Sequence, residues 1–211
     1  MKYTEGLKIS HIVATHEEGL RRMRDMWLDP NVFFYDDEVP EKKEGDTMIF
    51  LLGPTSRDGI PDYMWRKDAV HYLRSAKYVG KILIPEYRGG SYLSLEGTAD
   101  FTDARKIFVW EHNGIRRSSA LLAWIPRNGQ QLLGLTTNRE LGQAMGRAEH
   151  DKKWSKRLFI GWPENAKNMG SIGFELEDAK VGHLEGGHFD SLQKMCEKVA
   201  SLFEAEDDIP F

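Results

Sequence analysis

Four short apolar runs, separated by stretches with helical periodicity, constrain the fold of this chain more than any other feature. The runs lie at residues 47–52, 77–85, 119–125 and 157–160. Between the first two, Ala69, Leu73 and Ala76 recur at the spacing of a helix face. Strands and helices that alternate in this order predict parallel pairing through right-handed crossovers. We therefore predict an α/β fold with a parallel sheet flanked by helices.

Both ends of the chain are predicted to extend this core. Residues 7–14 have the composition of a strand, and Thr15 followed by Glu18 fits a capping box that opens a helix ending before Pro30. Residues 31–35 form a further strand candidate. We expect residues 1–46 to be an N-terminal extension packed on the core, residues 47–203 to be one domain, and residues 204–211 to be an acidic tail.

A final amphipathic helix is predicted near the C-terminus, because apolar residues there step by three or four. These residues are Phe189, Leu192, Met195, Val199 and Leu202. The single cysteine, Cys196, falls on the same pattern and is expected to be buried packing.

Length and charge exclude several functional classes. The chain has 211 residues and a formal charge of −4, so its overall charge favours neither nucleic acid nor an anionic membrane. No apolar run is long enough to cross a bilayer, and we expect a cytoplasmic protein. One cysteine allows neither an internal disulfide nor a cysteine-based zinc cluster. The pair His183 and His188 resembles a metal site only superficially, and we expect no metal and no cofactor.

Ligands of parallel α/β sheets bind at the carboxyl ends of the strands. That rule gathers four polar loops onto one edge: 53–57, 85–86, 126–128 and 136–140. Ser56 and Arg57 are candidates for holding a phosphate, because a hydroxyl and a guanidinium beside free N–H groups form an anion site. Arg127 offers the same chemistry. Trp65, Trp110 and Trp124 are candidates for stacking on a base, with core packing as the alternative.

Glu140 is the strongest catalytic candidate, and it has a structural alternative. Thr137 and Glu140 fit a capping box, in which the glutamate folds back on the helix start. Glu140 also follows a predicted strand by way of a polar loop, which favours a position at the ligand edge. There the helix dipole is expected to keep the carboxylate ionised, which suits a nucleophile.

Six short motifs in order resemble the nucleoside 2-deoxyribosyltransferase family over roughly residues 47–163. They are Gly53-Pro54-Thr55-Ser56, Trp65-Arg66, Ile84-Pro85-Glu86, Trp110-Glu111, Ala123-Trp124-Ile125-Pro126-Arg127, and Gly134-Leu135-Thr136-Thr137-Asn138 with Glu140 and Gly142. The resemblance implies a flavodoxin-like or Rossmann-like fold, a homo-oligomer and a small-molecule nucleoside or nucleotide substrate. It also implies that Glu140 attacks C1′ of a deoxyribosyl group and forms a covalent intermediate, with retention of configuration.

The resemblance extends to the substrate-binding residues and has two departures. We expect Trp65 to flank the base and a wider set of residues to bind substrate: Gly53, Pro54, Ser56, Arg57, Glu86, Ser118, Arg127 and Asn138. The family's first strand carries an aromatic hydroxyl that orients the nucleophile, and Phe50 stands at that position. An acidic residue that assists the departing base aligns with Ser118, so Glu111 or Glu86 is expected to supply the acid.

The C-terminal residues Asp207, Asp208, Ile209, Pro210 and Phe211 resemble the acidic tip of bacterial single-stranded DNA-binding proteins. In that family the terminal phenylalanine enters an apolar pocket of genome-maintenance proteins, and its free carboxylate meets a basic residue. The resemblance implies partners that bind this tip. A frayed acidic end is the alternative.

These observations predict an enzyme acting on the N-glycosidic bond of deoxynucleosides or deoxynucleotides through a glycosyl-Glu140 intermediate. One alternative is a hydrolase that cleaves the same bond in nucleotides or NAD-like molecules. Another is an inactive nucleotide-binding module that recruits DNA-maintenance proteins through its tip. Direct binding of nucleic acid or a membrane is not expected.

Overall fold

A computed structural model describes residues 3–55, 64–88, 101–128, 132, 135–179 and 188–204. Within them, seven helices flank a five-stranded sheet whose strands all run parallel. The strands are β1 (Val32–Phe33), β2 (Met48–Leu52), β3 (Lys81–Leu83), β4 (Ala120–Trp124) and β5 (Leu158–Gly161). The helices are α1 (Tyr3–Leu28), α2 (Trp65–Ser75), α3 (Phe101–Arg117), α4 (Leu135–His150), α5 (Lys152–Ser155), α6 (Gly170–Ala179) and α7 (Leu192–Glu204).

The strand order is β1-β3-β2-β4-β5. Without β1, this is the order of a flavodoxin-like sheet, in which the chain starts in the middle, adds one strand outward and then crosses to the other side. Phe189 extends the pattern with a parallel bridge to Gly161 at the outer side of β5. The α/β fold and the flavodoxin-like or Rossmann-like architecture predicted from the sequence are therefore confirmed.

The side chains of the central strands alternate between two apolar layers, as the period of a strand requires. Ile49 and Leu51 face the layer that contains α2 and α7, whereas Phe50 and Leu52 face the layer that contains α4. All five residues of β2 are buried. This explains why the run read as uniformly apolar rather than alternating. Cys196 is buried in the α2 and α7 layer, as predicted.

The N-terminal extension differs from the prediction in one respect. Residues 7–14, expected as a strand, belong to the helix α1, which runs without a break to Leu28. A helix satisfies its backbone hydrogen bonds internally, whereas a strand needs a neighbour to pair with. Glu18 consequently opens no helix: its carboxylate accepts hydrogen bonds from the Nε atoms of Arg21 and Arg22, each at 2.8 Å. The next strand prediction holds, since β1 pairs with β3.

Candidate active site

The candidate site lies where the strand order reverses, between the carboxyl ends of β2 and β4. Gly53 follows β2 directly with a φ of +154°, a conformation that favours glycine. A side chain there would also collide with the carbonyl oxygen of Trp124 and the indole of Trp65. The chain can therefore turn out of the sheet at this point only because residue 53 has no Cβ.

Arg66 is the hub of the loop that follows β2. Its side chain is almost completely buried, and it donates hydrogen bonds from all three guanidinium nitrogens. The acceptors include the carbonyl oxygens of Leu51 at 3.2 Å and Gly53 at 2.6 Å, and the hydroxyl of Thr55 at 3.1 Å. Because these donors point into the loop backbone, Arg66 fixes the shape of the site.

Glu86 is the anionic partner of Arg66. It follows β3, is buried, and forms an ion pair with the Nη1 atom of Arg66. Breaking such a pair leaves an uncompensated buried charge, which costs about 3–5 kcal/mol. The structure thus places Glu86 at the predicted edge, where its contact is with a protein cation. Glu111, the other residue expected to supply the acid, lies beside Tyr35 and Glu140.

Glu140 does not cap its helix. The helix α4 begins at Leu135, five residues before Glu140, so the carboxyl group lies beyond the first turn. Its Oε1 atom is buried, and among the described residues no group donates a hydrogen bond to it. A capping glutamate would accept a bond from the backbone at the helix start. The capping alternative is therefore wrong, because it needs Thr137 to precede the helix and α4 already begins at Leu135.

Glu111 of α3 lies against Glu140, so that the two carboxyl groups are within hydrogen-bonding reach of each other. Burial, followed by the neighbouring charge and hydrogen bond of Glu111, raises the pKa of Glu140 to about 8. Arg139 and Arg66 act in the opposite direction and are outweighed. Two carboxyl groups can hydrogen-bond to each other only if one carries a proton. The raised pKa runs against the expectation that the helix dipole keeps Glu140 ionised, because Glu140 lies beyond the first turn of α4 and its burial favours the protonated form.

Tyr35 completes this group from the opposite side. Its hydroxyl donates a hydrogen bond to Oε1 of Glu111. The ring packs edge-on against Trp110, with ring centres 5.1 Å apart. The carboxyl group of Glu111 thus accepts a hydrogen bond from the phenol of Tyr35 and also lies against the carboxyl group of Glu140. We call Glu111 and Glu140 the carboxyl pair, and Tyr35 is the tyrosine that is hydrogen-bonded to it.

Arg127 and Asn138 meet at the other side of the same edge. A guanidinium nitrogen of Arg127 donates a hydrogen bond to the side-chain oxygen of Asn138. Another nitrogen lies 3.5 Å from the carbonyl oxygen of Asn168. Burial lowers the pKa of Arg127. The structure therefore brings together these two residues, which the sequence placed in separate loops, and Asn138 lies in the same helix, α4, as Glu140.

No protein-family model matches the chain, and no curated protein matches its sequence significantly.

Ser118 is the candidate that the structure separates from the site. It precedes β4, at the amino end of the sheet, whereas Gly53, Glu86 and Arg127 follow the carboxyl ends of β2, β3 and β4. Its hydroxyl donates a hydrogen bond of 2.7 Å to the carbonyl oxygen of Gly114 in the last turn of α3. Ser118 therefore lies apart from the described candidates at the carboxyl ends, because a residue that ends a crossover helix enters the sheet at its amino end.

The three tryptophans proposed for stacking are buried packing residues. The indole N–H of Trp65 donates to the carbonyl oxygen of Pro54 at 2.9 Å. The indole N–H of Trp110 donates to the backbone carbonyl oxygen of Asp37, also at 2.9 Å. Trp124 belongs to the apolar layer of α2 and α7. Trp65 and Pro54 thus support the site loop through this bond. The three indole rings are buried in the core and are not exposed for stacking on a ligand.

Several predicted residues lie outside the described part of the chain. These are the phosphate candidates Ser56 and Arg57, the tip residues Asp207, Asp208, Ile209, Pro210 and Phe211, and His183. His188 is described, and its imidazole stacks on Trp162 with ring centres 3.7 Å apart. Within the described ranges, no cluster of three His, Cys, Asp or Glu side chains is arranged to hold a metal ion. No helix in those ranges is long and apolar enough to span a membrane.

Sequence reasoning missed Arg66 and Tyr35. A signal for Arg66 existed, because it lies on the buried face of α2 with Val70 and Leu73, where an arginine needs a partner. Tyr35 had no comparable signal. It follows a two-residue strand in the extension, and only the pairing of β1 with β3 brings it beside α3.

Proposed function

We propose that this protein cleaves or exchanges the N-glycosidic bond of deoxynucleosides or deoxynucleotides, with Glu140 as the nucleophile and Glu111 as the acid. The observation that carries the proposal is the pair of partly buried carboxyl groups, within hydrogen-bonding reach of each other, at the switch point of a flavodoxin-like sheet. Enzymes that displace a group at an anomeric carbon commonly use two carboxyl groups in complementary protonation states.

The proton of the pair determines the roles in the first step. Glu140 must be ionised to attack C1′, so its proton moves to Glu111 when substrate enters. The bond between a Glu140 oxygen and C1′ forms, and the bond between C1′ and the base nitrogen breaks. Glu111 donates its proton to the departing base and becomes a carboxylate. No further proton source is needed for this step.

The second step reverses the roles. The oxygen of water, or a ring nitrogen of an acceptor base, attacks C1′ while the ionised Glu111 accepts the proton that this atom releases. The Glu140 oxygen departs from C1′ as a carboxylate. Water yields a free deoxyribosyl product, whereas an acceptor base yields a new nucleoside. Two successive displacements retain the anomeric configuration.

Incubation with candidate substrates tests this proposal. Purified protein is incubated with deoxynucleosides, their 5′-monophosphates and NAD, each with and without a free acceptor base, and the products are separated by chromatography. Base exchange identifies a transferase, and base release alone identifies a hydrolase. Cleavage of NAD alone, or binding without turnover in every case, would overturn the proposal in favour of the NAD hydrolase or the binding module.

Variants of the pair link the activity to the site. Glu140→Gln should lower turnover at least about a thousand-fold, because the nucleophile is lost. Glu111→Gln should lower it about a hundred-fold, the usual contribution of a general acid. Glu149→Gln, an exposed position on α4, is the matched control and should leave turnover unchanged. Full activity in Glu140→Gln would exclude the assigned nucleophile.

A further inference from the structure

The backbone and the ring of Tyr35 are both held by neighbouring residues, independently of the contact that its hydroxyl makes. Its backbone N–H donates to the carbonyl oxygen of Glu86 at 2.9 Å, and the side chain of Glu86 pairs with Arg66. The ring lies edge-on to Trp110 at 5.1 Å and to Tyr87 at 5.5 Å. A ring fixed at its backbone and at both sides places its hydroxyl in one position.

In that position the hydroxyl donates a hydrogen bond to the carboxyl group of Glu111. A phenol that donates to a carboxylate forms a charge-assisted hydrogen bond, which is stronger than a neutral one. Such a bond restricts the rotamer of Glu111 and leaves the rest of its carboxyl group for Glu140. The residue that faces Glu140 is thus oriented by a segment that precedes the first strand of the flavodoxin-like core.

Phe50 lies beside the same tryptophan as Tyr35 but carries no hydroxyl. It is buried in the middle of β2, and its ring lies 6.1 Å from the ring of Trp110. Phe50 and Tyr35 therefore pack on the same indole. The core strand contributes only an apolar ring at this place, and β1 with its following residues contributes the ring that bears a hydroxyl.

We propose that Tyr35 is a positioning residue, supplied by the N-terminal extension, that fixes the carboxyl group of Glu111 against Glu140 and so sets how the pair exchanges its proton. The kinetic part of this inference rests on the proposed function, whereas the protonation part concerns the carboxyl pair alone. Among the described residues, the charged groups besides Glu111 that act on Glu140 are Arg139 on α4 and Arg66 on α2, and Glu86 is the partner of Arg66. All three are unchanged in the variants below.

Carboxyl titration by NMR tests the protonation part without a substrate. Glutamate labelled with carbon-13 at the side-chain carboxyl is incorporated into the full chain, and Glu140→Gln and Glu111→Gln assign the two signals. Removing the hydroxyl with Tyr35→Phe should move the titration of the pair upward by about one pH unit, because an anion loses a hydrogen bond. Tyr87→Phe removes a hydroxyl from the neighbouring ring and should move nothing.

A second variant guards against a failure of Tyr35→Phe to fold. Replacement of Tyr35 by 3-fluorotyrosine keeps the ring and the hydroxyl and makes the phenol a stronger donor. The titration of the pair should then move downward. An unchanged titration in whichever of the two proteins folds overturns the inference.

Kinetics separate this inference from the proposed function. With a substrate that wild-type protein turns over, Tyr35→Phe should lower kcat about ten-fold with little change in KM, and should shift the pH profile of kcat in the direction of the NMR titration. Equal pH profiles for Tyr35→Phe and wild type would refute the positioning role. If wild-type protein releases no base from any substrate, the proposed function fails, and the NMR titration still decides the role of Tyr35.

Discussion

The guanidinium of Arg66 and the carboxylate of Glu86 form a buried ion pair that joins α2 to the loop after β3. The same guanidinium donates to the carbonyl oxygens of the loop after β2. One side chain therefore ties together the ends of two neighbouring strands, at the edge where the carboxyl pair lies. Because its donors are used in these contacts, Arg66 is a support of the site rather than a free anion receptor.

Replacing Arg66 should be strongly destabilising. We expect Arg66→Met to lower the free energy of unfolding by about 3–5 kcal/mol, because the Glu86 carboxylate stays buried without its cation. Urea denaturation followed by tryptophan fluorescence measures the change. Arg116→Met, at an exposed position of α3, is the control and should change stability by less than about 0.5 kcal/mol. Adding Glu86→Gln to Arg66→Met should recover part of the loss, and strictly additive effects would contradict the pairing.

Glu140 should make the protein less stable as the pH rises. Its pKa is raised from 4.5 to about 8 in the folded protein, so the folded state holds a proton that the unfolded state releases. Stability is therefore highest near and below pH 4.5 for this group, and it is lost as the pH rises to about 8. Glu140→Gln removes this dependence, and we expect its stability relative to wild type to grow by a few kcal/mol across that window.

Denaturant unfolding at several pH values between 4.5 and 8.5 measures this difference. Glu149→Gln again serves as the control, and its difference from wild type should stay constant. A Glu140→Gln curve parallel to that of wild type would show that Glu140 titrates normally and that no proton is shared.

Gly53 should not tolerate a side chain. Gly53→Ala forces a residue with a Cβ to adopt a φ of +154° and to displace the Trp124 carbonyl, so we expect a loss of about 3 kcal/mol or more. Gly146→Ala is the matched control, because its Cβ would meet nothing and α4 would gain about 0.5–1 kcal/mol from helix propensity. Thermal unfolding of both variants measures the changes. Equal melting temperatures for Gly53→Ala and wild type would contradict the described turn.

Cys196 should be unreactive in the folded protein. It is completely buried between α7 and α2, and burial strongly raises its pKa. Because the thiolate is the reactive form, a thiol reagent should modify it only after unfolding. Labelling with a chromogenic disulfide, with and without denaturant, measures both rates. A fast stoichiometric reaction of the native protein would show that α7 does not cover the sheet as described.

The strands and helices of the core followed from local pattern. The apolar run at residues 47–52 predicted a central strand, and every residue of β2 is indeed buried. The order of elements predicted parallel pairing because short connections leave few topologies. The N-terminal strand prediction failed at residues 7–14, where a strand-like composition lies in a helix. Local composition cannot distinguish a helix from a strand when the sequence does not indicate a neighbouring strand for pairing.

The sequence by itself determined that Glu140 lies near the ligand edge, since an acidic residue shortly after a strand and a polar loop has to lie there. Tertiary structure alone decided the direction of its pKa shift, because that depends on burial and on Glu111, which lies 29 residues earlier in the chain. Tyr35 reaches the same carboxyl pair only through the pairing of β1 with β3. A pKa is set by distances between charges in a low-dielectric interior, and sequence spacing does not contain those distances.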